Sequence, residues 1–428
     1  MLQRIRRFLN RDLTKIFSLN AVATLVKMLT GFISVKIIAM LIGPTGIALL
    51  GQLNNFSSIF LALSTGGINT GVTKYIAENA GSQRKVNVYL RTALWITLVL
   101  SWICAFVLIV GAGYFARTIL KDSQYKSIIV VFGLTLILYS LNGLALSVIN
   151  GYKQFKDYVK INIGGSIIGL SFVVGLAYLY GLYGALMAAV TYQSVVFIVT
   201  IIVCTKHTWF TRRSLIGKFS LTVSKQLAHF SIMALVSTAT VPVSQLIIRG
   251  YLTSHTSLVD AGIWEGMNRI SGMYLMVITT SLSVYYLPRL AEIKSNKEIR
   301  IEIISVYKFI LPILLVATFG IYLFRHVVVS MLFNKEFVGM EQYFIYQLSG
   351  DFFKIGSWLL AYQMLAKSMT KMYIITEIVF SITFVLSAVL FIHYYGAVGA
   401  SIAYASNYLL YWIVMIIVFN KLLFKYRY

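Results

Sequence analysis

Residues 92–111 read TALWITLVLSWICAFVLIVG, twenty positions without one charged side chain. As an α-helix this stretch is about 30 Å long, which matches the hydrocarbon thickness of a lipid bilayer. Similar stretches recur along the 428 residues, of which 59% are hydrophobic and only 12% are charged. A water-soluble domain of this length has no interior large enough to bury so much apolar surface. The sequence therefore predicts an all-α polytopic membrane protein.

The apolar stretches predict twelve transmembrane helices separated by short polar or charged loops. We place them at residues 17–42, 46–72, 88–111, 126–149, 157–180, 183–204, 228–251, 259–287, 305–327, 338–362, 371–393 and 397–420. An even number of crossings leaves both chain termini on the same side of the membrane.

The net charge of +24 is distributed in a way that argues against nucleic acid as a partner. Most of the 37 Lys and Arg residues fall in the two tails and in alternate loops, on one side of the predicted membrane. Five lie on the other side: Arg117, Lys121, Lys126, Arg325 and Lys335. Because cytoplasmic loops carry the excess of Lys and Arg, we expect both termini in the cytoplasm. The same excess suits contact with anionic membrane lipids.

An internal repeat divides the chain into halves of six helices each. Four matches recur at offsets of 212 to 216 residues: Gly46-Ile47 with Gly262-Ile263, Glu78 with Glu292, Lys156 and Tyr158 with Lys371 and Tyr373, and Tyr183-Gly184-Ala185 with Tyr395-Gly396-Ala397. Both halves then enter the membrane from the same side, which predicts two parallel six-helix bundles around a central cavity. We assign residues 1–210 to the first bundle, 211–227 to a cytoplasmic linker and 228–428 to the second bundle. This arrangement is typical of transporters that work by alternating access.

No metal or cofactor site is indicated. Cys104 and Cys204 both lie in apolar stretches, and the five histidines are scattered without the spacing of metal ligands. We expect no disulfide, no metal and no cofactor.

Ionisable side chains inside the predicted helices are the main functional candidates, because a charge in hydrocarbon is costly and usually serves a function. Eight such groups occur: Lys27, Lys36, Arg249, Glu265, Arg269, Asp351, Lys354 and Glu377. Basic groups outnumber acidic ones, and a cavity with that balance suits an anionic substrate group such as a phosphate or diphosphate.

Lys27 and Lys36 lie nine residues apart on the first helix and therefore face opposite ways. Lys27 is near mid-depth and is the better candidate for binding substrate. Lys36 lies closer to the periplasmic end, where its side chain is also able to reach the interface.

Asp351 and Lys354 share one face of the tenth helix. One interpretation is an ion pair that neutralises itself and fixes helix packing. The other is that substrate binds Lys354 while Asp351 takes up a proton, which would couple transport to an ion gradient.

Glu265 and Arg269 are spaced for an i,i+4 ion pair on the eighth helix. Glu265 is a second candidate for ion coupling and Arg269 for substrate binding. Arg249 either joins this pair or anchors its helix at the interface.

Asn54 and Asn55 on the second helix offer hydrogen bonds to sugar hydroxyls, or else to a neighbouring helix. Both interpretations stay open from the sequence.

Several motifs resemble those of the Wzx flippases, the polysaccharide-transporter branch of the multidrug/oligosaccharidyl-lipid/polysaccharide exporter superfamily. The motifs are Gly71-Val72-Thr73-Lys74-Tyr75, Gly262-Ile263-Trp264, Tyr286-Leu287-Pro288, and Gly350-Asp351 with Lys354 and Gly356. Together with basic residues at the places of Lys27 and Lys36, they look most like the subgroup that handles enterobacterial common antigen and related O-antigen repeat units. Glu265 and Arg269 depart from that pattern. Lys74, in the first motif, joins the substrate-binding candidates.

The resemblance implies a flippase for undecaprenyl diphosphate carrying a short oligosaccharide. The family moves this substrate from the cytoplasmic to the periplasmic leaflet of the bacterial inner membrane, for O-antigen or related surface polysaccharide synthesis. It also implies a polymerase and a chain-length regulator as the proteins that act next.

Three other functions were weighed. A multidrug exporter of the same superfamily shares the fold, but cationic drugs call for embedded carboxylates where the first helix offers lysines. A membrane enzyme, such as a polymerase or glycosyltransferase, would be expected to carry a sizeable extramembrane loop with catalytic acidic residues. A scaffolding protein leaves the embedded charges unexplained. The sequence therefore predicts a transporter rather than an enzyme.

Overall fold

The computed structural model describes the backbone of residues 2–424 and the side chains of residues 22–424, apart from those of Arg213, His229, Phe230 and Val284. The predicted orientation rests partly on tail residues whose side chains lie outside the described ones: Arg4, Arg6, Arg7, Arg11, Lys15, Lys425 and Arg427.

The described backbone forms α-helices joined by short turns, with no β-strand among residues 2–424. The helices are α1 (Leu2–Thr65), α2 (Asn69–Glu78), α3 (Gln83–Val110), α4 (Ala112–Ile119), α5 (Lys126–Gly151), α6 (Phe155–Cys204), α7 (Arg212–Leu215), α8 (Leu221–His255), α9 (Leu258–Ser281), α10 (Leu287–Glu292), α11 (Asn296–Leu323), α12 (Arg325–Leu332), α13 (Phe344–Ala366), α14 (Thr370–Tyr395), α15 (Gly399–Val418) and α16 (Asn420–Phe424). Three 3₁₀ turns occur at Ser123–Tyr125, Lys335–Tyr343 and Gly396–Val398, and a π-helix at Leu282–Tyr286.

Two of these helices each contain two membrane segments. The axis of α1 changes at Gly43 (φ 63°) and that of α6 at Gly181 (φ 57°). With each counted twice, and with α3, α5, α8, α9, α11, α13, α14 and α15, the described residues supply the twelve segments that the sequence predicts.

Length and hydropathy support membrane crossing independently. Seven stretches within the described residues are long and apolar enough to cross a bilayer, and three of them have 44 residues or more. A bilayer needs about 20 helical residues, so each of those three is long enough to cross twice. The protein is a multi-pass membrane protein.

Several predicted helices are interrupted near an end, and two of these breaks fall at glycine or proline. The predicted helix 46–72 ends at Thr65, where a turn at Gly66 and Gly67, both with positive φ, leads into α2. The predicted helix 259–287 passes into the π-helix and then into α10. Pro288 explains this second break, because it lacks an N–H and its ring collides with the carbonyl four residues earlier, which opens the hydrogen-bond ladder.

The backbone repeats after 215 residues at two helix ends. In the turn after α5, Lys153 has φ 58°, and in the turn after α13, Ser368 has φ 54°. In each turn the next N–H, that of Gln154 or Met369, donates to the carbonyl oxygen five residues earlier, at 3.0 and 2.8 Å. This hydrogen bond closes both helices in the same left-handed way.

Two glycines give the same offset. Gly181 (φ 57°, ψ −137°) and Gly396 (φ 61°, ψ −150°) lie 215 residues apart, in a region that only glycine adopts readily. The predicted pairing of the triplets at 183–185 and 395–397 is therefore wrong by three residues. The two triplets have the same amino-acid types, but the residue whose backbone conformation matches that of Gly396 is Gly181.

Packing divides the chain into two compact units. The first comprises Met1–Ser34 and Gln52–Pro242, and the second comprises Val35–Gly51 and Val243–Tyr428. One core cluster, around Leu90 and Val148, lies in the first unit, and another, around Leu359 and Met415, lies in the second. The bundle boundaries at residues 210 and 228 stay a prediction.

Candidate functional site

Three charged side chains meet in the second unit and form what we call the arginine–glutamate triad: Arg249 of α8 with Glu265 and Arg269 of α9. Arg249 Nη2 donates to Glu265 Oε2, and Arg269 Nε donates to Glu265 Oε1 at 3.1 Å. Arg249 is 1% exposed and Glu265 8%. Two guanidinium groups share one carboxylate, so the triad carries a net positive charge in a largely buried place. The predicted i,i+4 pair is formed, and Arg249 joins it.

Small and aromatic neighbours hold the triad in place. The Arg249 guanidinium lies 5.6 Å from the centre of the Trp264 ring, within the range of a cation–π contact. A Cβ on Gly51 of α1 would come within 2.4 Å of Glu265 Cδ. Glycine at position 51 is therefore what lets α1 pack against this carboxylate.

Asp351 of α13 is fully buried and lies in a second group, the tyrosine–aspartate cluster. The hydroxyl of Tyr274 on α9 donates to Asp351 Oδ2, and that of Tyr404 on α15 donates to Oδ1 at 2.8 Å. These two hydrogen bonds come from two different helices. The carboxylate thus joins α9, α13 and α15.

Lys354 lies one turn from Asp351 on α13, and aromatic rings surround its ammonium group. Its Nζ is 5.0 Å from the ring centre of Trp358, 5.7 Å from Tyr404 and 5.4 Å from Tyr408. We call this arrangement the Lys354 cage. The shared helix face was predicted correctly, but the Asp351–Lys354 ion pair, one of the two interpretations, is not formed. Ring faces attract the ammonium without neutralising its charge.

Neutral polar groups extend the cluster. Gln347, four residues before Asp351, is 1% exposed. Its Nε2 donates to Asn268 Oδ1 at 3.3 Å, and Ser401 Oγ donates to its Oε1 at 3.1 Å. Helices α9, α13 and α15 are therefore joined by a continuous set of polar contacts.

The four candidates on α1 are divided between the two units. Lys27 belongs to the first unit and Lys36 to the second, and both side chains are exposed. Asn54 is exposed, Asn55 is half-buried, and both lie in the first unit. A role for any of the four in binding substrate remains a prediction.

Lys74 lies at the surface of α2. Its Nζ is 3.7 Å from Glu78 Oε1 and 5.1 Å from the ring centre of Tyr75. The Tyr75 ring stacks on Tyr89 with centres 4.9 Å apart. The motif that contains Lys74 thus packs α2 against α3.

The aromatic partners of these charged side chains were not predicted from the sequence. Tyr274, Trp358, Tyr404 and Tyr408 come from three different helices, α9, α13 and α15. One signal was available: Ser401, Tyr404 and Tyr408 recur at helical spacing and form a polar stripe on an otherwise apolar helix. Such a stripe indicates a partner on a neighbouring helix.

Comparison with known proteins gives a family and a fold. A family model described as polysaccharide biosynthesis protein matches residues 13–294, well over half of the chain. Two relatives are the lipid III flippases of Escherichia coli (strain K12) and Shigella flexneri. Each is 29% identical over 392 residues, which cover 91% of this chain and 94% of the flippase.

Solved structures share the fold at low identity. An inward-facing multidrug resistance MATE family transporter of the MOP superfamily superposes with a TM-score of 0.73 at 14% identity, covering 93% of this chain and 97% of its own. An outward-facing MATE family transporter gives 0.63 at 13% identity, covering 93% and 94%. The predicted resemblance is confirmed at the level of family, and the chain belongs to the polysaccharide biosynthesis protein family.

Proposed function

We propose that this protein is a flippase for undecaprenyl-diphosphate-linked oligosaccharides. It moves them from the cytoplasmic to the periplasmic leaflet of the bacterial inner membrane by alternating access, for O-antigen or related surface polysaccharide synthesis. The observation that carries the proposal is the likeness to lipid III flippases over 91% of the chain. The proposal includes two cytoplasmic termini, a polymerase and chain-length regulator that act on the product, and no enzymatic step.

The arginine–glutamate triad has chemistry suited to a diphosphate. A guanidinium presents a planar set of donors that matches two phosphate oxygens, and its charge persists when it is buried. Glu265 now accepts hydrogen bonds from both Arg249 and Arg269. We infer that an incoming diphosphate accepts hydrogen bonds from both arginines in place of Glu265. Substrate binding then frees the Glu265 carboxylate from its two partners.

The Lys354 cage supplies a second positive centre. Three rings surround the ammonium, and ring faces hold a cation without neutralising its charge. Asp351 and Glu377 also act on this charge, and we infer that a phosphate competes with them for it. Asp351 lies one turn away with two tyrosine donors. We assign Asp351 and Glu265 to ion coupling, and Lys354, Arg249 and Arg269 to the diphosphate.

The remaining candidates stay with this proposal as predictions. Lys27, Lys36 and Lys74 would attract the anionic group from exposed positions, and Asn54 and Asn55 would bind sugar hydroxyls. Multidrug export is disfavoured physically, since the buried triad carries more positive than negative charge and would repel a cationic drug.

The test is flipping in proteoliposomes. A fluorescent undecaprenyl-diphosphate oligosaccharide is reconstituted with the protein, and a membrane-impermeant quencher reports the exposed fraction over time. Wild type is compared with Lys354→Ala and Lys27→Ala, and with the exposed Lys371→Ala as a matched control. We expect Lys354→Ala to slow flipping by about tenfold or more, as for the loss of one charge-assisted contact, and Lys371→Ala to leave it unchanged.

The outcomes separate the function from the site. Wild type that flips no faster than empty liposomes, with several oligosaccharides and an imposed pH gradient, contradicts the flippase assignment. Wild type that flips while Lys354→Ala flips equally fast contradicts only the role of Lys354.

A further inference from the structure

A short stretch of the first unit, which we call the strap (residues 209–219), crosses the end of α3 between α6 and α8. Trp95 Nε1 on α3 donates to Gly217 O at 3.3 Å, and Trp209 Nε1 donates to Gln154 Oε1 at 3.3 Å. Trp209 is only 4% exposed and stacks on Tyr152. One end of the strap is therefore fixed to the turn between α5 and α6, and the other end to α3.

Two apolar cavities open beneath the strap, one on each side of the contact between Trp95 and Gly217. The first has a volume of about 430 Å³ and runs between α3, α5 and α6. The second has a volume of about 540 Å³ and follows the other side of α3. Trp95 and Gly217 line both cavities. The first cavity is also lined by Leu90, Leu94, Leu98, Leu144, Phe197 and Ile216, among others. The second is also lined by Ile96, Val99, Leu100, Lys218 and Phe219. Each is the size of an ordinary ligand pocket, but both are almost wholly apolar.

Basic groups stand where the two cavities meet. A Cβ on Gly217 would come within 2.6 Å of Arg91 Nε, so the Arg91 guanidinium lies against the wall that both cavities share. Lys218 is exposed and lines the second cavity. Neither residues 205–227 nor α3 contains an acidic residue. One carboxylate, that of Asp157 on α6, lies 3.3 Å from His207 Nε2, just before the strap. The wall that both cavities share carries Arg91 and Lys218 and is positive.

The strap also has the exposed apolar side chains that are typical of a segment in a membrane interface. Ile216 is 63% exposed and Phe219 47%, and Leu221 just beyond is 64% exposed. Exposed apolar groups next to Arg212 and Lys218 are typical of a chain that lies in the plane of the headgroups.

We propose that the strap and α3 form a binding site for one phospholipid with two acyl chains and an anionic headgroup. One chain fills each cavity, and the phosphate lies between Arg91 and Lys218. From position 91 to position 98 the helix rises about 10 Å, so the chains run from the charged end toward the membrane interior. A polyprenyl substrate has a single chain and would leave one cavity empty, which is why we choose a two-chain lipid. That this is a lipid of the cytoplasmic leaflet depends on the orientation proposed above.

Native mass spectrometry of the detergent-solubilised protein tests this site without any flipping assay. The lipids added are phosphatidylglycerol, phosphatidylethanolamine, lysophosphatidylglycerol with one chain, and undecaprenyl phosphate. We expect phosphatidylglycerol to bind at least tenfold more tightly than phosphatidylethanolamine, and lysophosphatidylglycerol more weakly than the two-chain form.

Variants then locate the site. Lys218→Glu should weaken phosphatidylglycerol by about fivefold or more, as expected for one basic residue at a charged surface. Ala145→Phe, which fills the first cavity, should weaken it while Lys218 is intact. Lys371→Glu, in the other unit, is the matched control and should have no effect.

Three results overturn the proposal. The first is equal binding of phosphatidylglycerol and phosphatidylethanolamine, and the second is an equal loss in Lys218→Glu and Lys371→Glu. The third is stoichiometric displacement of phosphatidylglycerol by undecaprenyl phosphate, which assigns the cavities to the polyprenyl substrate. A protein that flips nothing but binds phosphatidylglycerol as expected would contradict the proposed function and leave this site standing.

Discussion

Two helix pairs occupy corresponding places in the two halves of the sequence: α5 with the second segment of α6, and α13 with α15. In the first pair the contacts are neutral, since Asn142 Nδ2 donates to Gln193 Oε1 at 3.1 Å and Thr200 Oγ1 donates to Asn142 Oδ1 at 2.7 Å. In the second pair Asp351 accepts from Tyr404, whose ring also faces Lys354. The same kind of helix packing is neutral in one half and charged in the other.

The contrast extends to burial. The charged side chains that are buried among the described residues are Arg249, Glu265 and Asp351, and all three belong to the second unit. The turns at Lys153 and Ser368, in contrast, are alike. The two halves therefore share the positions of their helices, while the buried charged side chains of the described residues lie in the second unit.

Among the substitutions that test this difference between the two units, we expect Glu265→Ala to have the largest effect. It leaves two arginines side by side with no carboxylate between them, and we expect a loss of about 3–5 kcal/mol in the free energy of unfolding. Thermal unfolding in detergent, followed by tryptophan fluorescence, measures it. Glu78→Ala, which removes the exposed partner of Lys74, is the control and should change stability by less than about 1 kcal/mol. Equal effects of the two variants would show that the triad contributes no more than a surface pair.

An intermediate effect is expected for Asp351→Asn. The amide keeps the shape but has one acceptor oxygen for two tyrosine donors, which should cost about 1.5–3 kcal/mol. If Asp351 couples transport to protons, the variant should also flip substrate at a rate that an imposed pH gradient no longer changes. Asn142→Gln, in the corresponding neutral pair, should leave the gradient response intact. A variant of Asp351 that still responds to the gradient would remove this residue from the coupling step.

The substitutions with the smallest expected effect test whether the kinks at Gly181 and Gly396 are structurally equivalent. Gly181→Ala and Gly396→Ala each place a Cβ at positive φ, where no neighbouring atom lies within 4 Å, so the cost is conformational alone. We expect a loss of about 1–2 kcal/mol in the free energy of unfolding, the same for both within error. Markedly different losses would show that the two kinks are not structural counterparts.

The membrane-spanning helices were predictable, because each is a long apolar stretch whose length is set by the bilayer. Their ends were less so. The helix break at Gly66 and Gly67 coincides with a double glycine in the sequence. A double glycine also occurs inside helices, however, as at Gly164 and Gly165 of α6. The repeat was found at nearly the right offset, and the register error at Gly396 arose because matching letters do not report backbone angles.

The charged site was predictable only within one helix. Spacing along α9 was enough to pair Glu265 with Arg269. The partner of Asp351 was not predictable in this way, because Tyr274 and Tyr404 come from helices 77 and 53 residues away. Tertiary packing decides which of several tyrosines contacts a buried carboxylate. The spacing of residues along the chain carries no information about that packing.

The π-helix at Leu282–Tyr286 has a mechanical consequence. A π-turn holds one residue more than an α-turn, and such an extra residue is able to pass along a helix without breaking it. Each side chain that it passes turns by about 100° about the helix axis and shifts by about 1.5 Å. Tyr286, whose hydroxyl donates to Leu359 O at 2.9 Å, lies at its end and would be the first to turn. We therefore expect that α10 is able to turn about this point while the chain stays continuous with α9.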